Sequence, residues 1–207
     1  MAKLSDSPKK PKFVREEPEV RRKLLIEATL RCLAKYGNSG TTVEVICKAA
    51  KVSRGLLNHH FNGKSDIIVQ AYEYMSDKLD NSTRGLIEEI GREPQAQLEA
   101  MIKAAFSPPT FTKEDLSIWI SLWNLAQVDP QINGLNKRHY NKYRRSIAHL
   151  IDAVADENKI SINSSRAALS LTALMDGLWL EWCLDPDAFV PQEGEAACLD
   201  FIKRLFT

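Results

Sequence analysis

The run from Thr42 to Phe61 constrains the fold more than any other segment, because it reads as two short amphipathic helices meeting at a tight corner. In the first, Val43, Ile46 and Ala50 recur at i, i+3 and i+7, and the small Ala49 and Ala50 let a second helix approach closely. Val52 plugs the corner. Ser53 is an N-cap candidate, and the helix it opens turns Leu56, Leu57 and His60 inward while Arg54, Gly55, Asn58 and His59 face outward. A helix-turn-helix of this kind lays its second helix in the major groove of double-stranded DNA, where outward groups donate to phosphates or base edges. An αα-hairpin with no nucleic-acid role has the same periodicity.

Charge separates the two readings. Residues 1–65 carry fourteen Lys and Arg against six Asp and Glu, a net of +8, whereas residues 66–207 carry fourteen against twenty-one, a net of −7. The overall charge of +1 therefore hides a basic end on an acidic remainder, as expected when only one end meets a polyanion.

A chain of 207 residues with 44% hydrophobic content has room for a module of about 50 residues and a larger helical body. Cys32, Cys47, Cys183 and Cys198 stand singly, without the spacing of a zinc site or a redox pair, and read as small buried residues in a reducing cytosol. No apolar run is expected to reach the roughly 20 residues that span a bilayer, and the N-terminus lacks a signal-peptide pattern. These features imply a cytoplasmic protein without a membrane partner.

Residues 1–17 read as a disordered basic arm, whose Lys3, Lys9, Lys10, Lys12 and Arg15 either reach DNA or form a solvated tail. Residues 18–65 are expected to be the helix-turn-helix domain and 66–207 a helical ligand-binding and dimerisation domain. A first helix starts near Pro18 and ends at Gly37, with Arg21, Arg22 and Lys23 at its beginning, where a helix crossing the DNA backbone needs cations. Ser65 with Asp66 is expected to cap a long helix reaching Ile90, and Lys64 just before it to hold a phosphate at the helix N-terminus. Further helices are placed at 95–106, 113–127, 132–157, 163–184 and 194–206, giving an all-α chain of about nine helices.

These residues resemble the TetR family of bacterial transcriptional regulators. The resemblance rests on Ile26-x-Ala28, Tyr36-Gly37, Thr41-Thr42, Ile46, Ala49-Ala50, Val52-Ser53-x-Gly55, Phe61 and Lys64, in the order of the family pattern. Asn58-His59-His60-Phe61, with Ile118 to Trp123 and Ala173 to Leu180, is similar to the choline-responsive, BetI-type branch. Two departures stand out. Lys51 occupies the turn where the family usually has Gly, at a cost of about 1–2 kcal/mol if the backbone there is left-handed. Asn58 replaces a frequent tyrosine, supplying an amide that can pair with adenine.

The resemblance implies a homodimer joined by the last two long helices, presenting its reading helices to a palindromic operator about 34 Å apart. In the helix at 163–184, Ala167, Leu171, Leu174, Leu178 and Trp182 form one apolar set, widened by Ala168, Met175, Trp179 and Cys183 beyond what one core needs. The resemblance also implies a repressor released by a small-molecule inducer, without a cofactor. Arg54, Gly55, Asn58 and His59 would face the groove beside Ser53, with Arg22, Thr42 and Lys64 on phosphates. An activator of the same fold remains open, because operator position decides the sign.

All four tryptophans lie in the body: Trp119 and Trp123 at i, i+4, and Trp179 and Trp182 at i, i+3, with Asp176 one turn before Trp179. Aromatic faces with one carboxylate select a quaternary ammonium, which cannot donate hydrogen bonds. Phe106 and Tyr143 are candidate further walls; the alternative is that these aromatics are core or interface. An enzymatic reading has one constellation, His149, Asp152 and Asp156 at i, i+3, i+7, which could gather a metal or form a solvated helix face.

Overall fold

The structure is a computed structural model that describes residues 18–207, so the basic arm at 1–17 lies outside the described residues. Among these it forms nine helices and no strand: α1 (Pro18–Gly40), α2 (Val43–Ala50), α3 (Arg54–His60), α4 (Lys64–Ile90), α5 (Pro94–Ala105), α6 (Lys113–Val128), α7 (Pro130–Asn158), α8 (Ser164–Leu184) and α9 (Pro191–Leu205). The all-α expectation holds. Regular helix in α1 breaks at Gly37, where φ is 62°, and the buried Thr41 closes the following turn by donating its hydroxyl to the Gly37 carbonyl at 2.7 Å. The start of α9 falls at Pro191, three residues before the expected 194, because Pro takes the first helical position. Gly194, read as a start, lies inside α9 with its Cα against Phe106, where an added Cβ would stand 2.7 Å from Cε1.

The corner of the helix-turn-helix forms as expected. Thr42 caps α2 by accepting from Val45 N–H at 3.2 Å, and Ser53 caps α3 by accepting from Leu56 N–H at 3.2 Å. Between them Lys51 sits in the left-handed region at φ 56°, ψ 43°. Its N–H donates to Lys48 O at 3.3 Å and that of Val52 to Cys47 O at 3.0 Å, so two carbonyls left over at the helix end are satisfied. Leu57 is fully buried and pins α3 to α1 and α2, but Ala49 is exposed and does not mediate their approach.

Ser65 and Asp66 do not cap α4. The helix starts one residue earlier, at Lys64, and its N-cap is Gly63 with φ 100° and no side-chain bond. Asp66 in the first turn instead reaches back to accept Asn62 N–H at 2.8 Å. From there α4 carries a buried stripe of Ile67, Ile68, Ala71, Tyr72, Met75 and Leu79, and packs on α1 first and on α5 and α7 later.

The module and the body share one continuous core. Helix α1 packs on α6 as well as on α2 and α4, and Ser121 of α6 donates to the Leu33 carbonyl of α1 at 3.1 Å. By length and composition α8 is apolar enough to cross a membrane, contrary to expectation, with 33% of its most apolar window buried. Its inward face is Ala167, Ala168, Leu171, Met175 and Trp179. Leu174, Leu178, Trp182 and Cys183 are half-buried, and the face left exposed is a different stripe: Leu169, Ala173, Gly177, Leu180 and Leu184.

Replacing Lys51 with Gly removes the left-handed strain of a residue with a Cβ, partly offset by the greater freedom of Gly in the unfolded chain. Lys51→Gly is expected to raise stability by about 0.5–1 kcal/mol in chemical denaturation, and a loss of stability would contradict the strain.

Candidate DNA interface and ligand cavity

Ser53, Arg54, Gly55, Asn58 and His59 are all exposed on one side of α3, with Thr42 exposed nearby at the start of α2. His60 is half-buried, and its ring lies edge-on to that of His59 at 5.1 Å between centroids. The guanidinium of Arg54 pairs with the Glu44 carboxylate at 3.3 Å; both side chains are 69% exposed, so this bond is weak and readily exchanged. A Cβ built on Gly55 would meet only Ser53 Oγ, at 3.8 Å, so the fold itself has space for a side chain there.

Two of the expected phosphate-binding cations have protein partners. Arg22 is half-buried, donates to the His60 carbonyl at 3.2 Å and lies over the Phe61 ring at 4.8 Å, which ties α1 to the end of α3. Lys64 is half-buried and donates to the Asn38 carbonyl at 2.6 Å, and burial lowers its pKa below the ordinary lysine value. Both cations brace the module at its edges.

In the body, five helices enclose a cavity of about 30 Å³. Its walls include Leu79 from α4, Trp119 and Trp123 from α6, His139, Tyr140 and Tyr143 from α7, and Asp176 and Trp179 from α8. Five of the six residues expected to line a ligand site therefore come together. Phe106 does not: it turns away at the end of α5 to pack on Phe111, with ring centroids 5.4 Å apart, and on Gly194 of α9. Trp182 likewise packs on Phe111, at 4.8 Å.

His139 and Tyr140 were not expected in the wall. The His139 ring stacks on Trp119 at 5.5 Å and runs nearly parallel to Tyr143 at 6.3 Å, so one imidazole layers between two larger rings. Burial lowers its pKa from the ordinary 6.5, which keeps it neutral at pH 7. Tyr140 donates its hydroxyl to Asp176 Oδ2 at 2.9 Å. Adjacent positions on α7 and a one-turn return to Tyr143 were the available sequence signal, but nothing local shows which face of a long helix meets a cavity.

Asp176 is the acid of this site. Burial pushes its pKa from 3.8 up to about 6, against the opposing effects of the Tyr140 hydrogen bond and the Arg144 guanidinium. It is mainly ionised at neutral pH, a carboxylate with little solvent among aromatic rings. A carboxylate among ring faces is suited to a cation, which both attract.

The metal constellation does not assemble. Asp152 accepts a short hydrogen bond from Ser164, and His149 instead lines a surface cleft with Asp80 and Lys142. Among the described residues no three His, Cys, Asp or Glu side chains stand together as a metal site.

A basic, capped helix-turn-helix on a helical body with a partly open cavity among its helices is the architecture of a DNA-binding transcriptional regulator. Residues 25–71 match the family model for bacterial regulatory proteins of the tetR family, and residues 94–207 match that for the C-terminal domain of BetI-type transcriptional repressors. The chain belongs to the TetR family, with a BetI-type C-terminal domain. It is 29% identical over 187 residues to the HTH-type transcriptional regulator BetI of Paraburkholderia phymatum, covering 90% of this chain and 93% of that one. The BetI of Pectobacterium carotovorum is 26% identical over 193 residues, covering 91% and 95%. Among solved structures, a transcriptional regulator from Pseudomonas aeruginosa aligns with a TM-score of 0.86 and 35% identity over 94% of each chain. One from Saccharomonospora viridis, in complex with choline, shares the fold with a TM-score of 0.78 and 20% identity, covering 89% of this chain and 96% of that one.

Because the folded pKa of Asp176 lies above its unfolded value of 3.8, its protonated form stabilises the fold. That contribution is complete below pH 3.8 and lost as pH rises through about 6. Asp176→Asn is neutral throughout, so it is expected to stabilise the ligand-free protein by about 1–3 kcal/mol at pH 7.5, with the gain roughly halved by pH 5. Thermal unfolding across that range checks this; a pH-independent difference would contradict burial of the charge.

Proposed function

We propose that the protein is a cytoplasmic repressor that binds a palindromic operator as a homodimer and is released by a small quaternary ammonium of the choline type. The observation that carries the ligand reading is the half-buried Asp176 carboxylate, which lines one cavity with the rings of Trp119, Trp123, Tyr140, Tyr143 and Trp179. The choline complex of the Saccharomonospora viridis regulator, on the same fold, supports it.

For DNA, Arg54, Asn58 and His59 face the major groove, and Gly55 leaves room for close approach of the nucleic acid. Thr42 and Lys64 lie against phosphates, with Arg22 behind α3. For dimerisation, the Leu169, Ala173, Gly177, Leu180 and Leu184 stripe of α8 meets its two-fold mate; the small residues at its centre let the two helices approach closely.

Release follows from volume. A space of about 30 Å³ has room for about one water, and a quaternary ammonium of several heavy atoms needs several times as much. Ligand therefore binds better to a state with separated walls. One wall is α4, through Leu79, and Tyr72 of the same helix packs behind the wall with its ring 5.7 Å from that of Trp119. Moving α4 against α6 and α7 moves the reading helices, and the ligand shifts the equilibrium by its differential affinity for the two states.

Fluorescence-anisotropy titration against the DNA upstream of its own gene, beside a scrambled duplex, tests the reading. Tight, salt-sensitive and sequence-selective binding that choline relieves is expected. Arg54→Ala is expected to weaken operator binding at least about tenfold while leaving the dimer and its helicity intact. Equal weak binding to both duplexes would contradict the operator reading, and unchanged affinity of the variant would remove Arg54 from the reading set.

A further inference from the structure

The cavity wall contains one buried donor that has no partner among the described residues. The indole N–H of Trp179 donates to the Ala105 carbonyl at 3.0 Å, the hydroxyl of Thr172 to Ala168 O at 2.8 Å, and that of Tyr140 to Asp176. Tyr143 makes a weaker contact with Met175 Sδ at 3.8 Å. Trp123 Nε1 is fully shielded and has no acceptor; among the described residues, the other buried side-chain N and O atoms in that condition are Asn38 Oδ1 and Ser76 Oγ, away from this wall. An indole N–H left buried and unpaired forfeits its hydrogen bond to water without a replacement, so its retention calls for an explanation.

Trp123 also forms, with Tyr140, the partition between the cavity and a polar surface cleft lined by Asn133, Asn136, Lys137 and Arg144. A ligand whose cationic end lies on the Asp176 side therefore has a polar boundary at its other end. Resting on the quaternary-ammonium reading above, we propose that Trp123 is the selectivity residue of this cavity: its Nε1–H donates to an oxygen on the ligand, so the site takes cations that also bear a hydroxyl or ester oxygen in preference to bare alkylammoniums. A ligand carboxylate is disfavoured, because it would share a small, poorly solvated space with Asp176. The indole donor thus supplies the second point of recognition that a ring cage alone lacks, since an aromatic face attracts any N-methylated cation of suitable size.

Choline and propyltrimethylammonium test this directly, because they differ by exchange of a hydroxyl for a methyl at equal chain length. Isothermal titration calorimetry of the full-length protein is expected to show choline binding about 5- to 10-fold more tightly, the range for one net hydrogen bond. In Trp123→Phe, which keeps a ring and removes the donor, that preference is expected to fall below twofold. Equal affinity of the two salts for the wild type, or an unchanged preference in the variant, would overturn the donor role while leaving the cation cage standing. Absence of binding by either salt would overturn it together with the reading on which it rests. Equal affinity of the two salts for the wild type overturns the donor role even if the variant does not fold.

Discussion

Helix α4 is one unbroken hydrogen-bonded rod of 27 residues, about 40 Å long, and belongs to both parts of the molecule. At its start Lys64 is bonded to the Asn38 carbonyl of α1, and ten residues on the Tyr74 hydroxyl donates to Glu27 of the same helix at 3.2 Å. Toward the body, Tyr72 donates to Asn136 of α7 at 3.1 Å, and further along Lys78 pairs with the buried Asp115 of α6 at 2.7 Å and Asp80 with Lys142 of α7. A helix held in this way does not bend cheaply, so displacement at its body end is carried to the reader. The contact of α1 with α6, closed by Ser121 and Leu33, makes a second route between the same two parts.

The cavity sets function against stability. An ionised carboxylate in a poorly hydrated site disfavours the closed fold above pH 6, and an unpaired indole N–H adds to that penalty. On the proposed reading, both groups would gain a partner when a cation bearing an oxygen enters. The neutral state of His139 belongs to the same logic: a protonated imidazole stacked between Trp119 and Tyr143 would itself be a cation on those faces and would compete with the ligand. Burial, rather than a partner, holds the proton off.

Local chemistry made the reader legible from sequence. Ser53 caps the helix it precedes, and the order of apolar residues fixes which side of α3 is buried, so the outward positions of Arg54, Asn58 and His59 are written in the local pattern; the cap that Thr42 gives α2 was not read there. Lys51 stands where the family usually has glycine; the sequence left open whether the turn is left-handed there or differently shaped, and the backbone is left-handed. What escaped depends on contacts between distant segments. The pairing of Arg22 with the end of α3 joins residues 38 positions apart, and nothing in α1 alone announces it. In the body, helical spacing grouped the aromatics by face but did not say what each face meets: Trp119, Trp123, Tyr143 and Trp179 line the cavity, whereas Phe106 fills the space above Gly194. The excess apolar surface of α8 was legible in amount but not in position, because Leu171 is taken up by the core and Leu169, Leu180 and Leu184 are left outside.

In the proposed homodimer, coupling between the cavity and the spacing of the two reading helices can be measured as a distance. Spin labels carried on a non-natural side chain at exposed position 62, beside α3, report the separation of the two modules by pulsed dipolar spectroscopy. Without ligand, a distribution compatible with half-sites about 34 Å apart is expected, and saturating choline should move it by several ångströms. An identical distribution in the presence of bound choline would contradict transmission through α4.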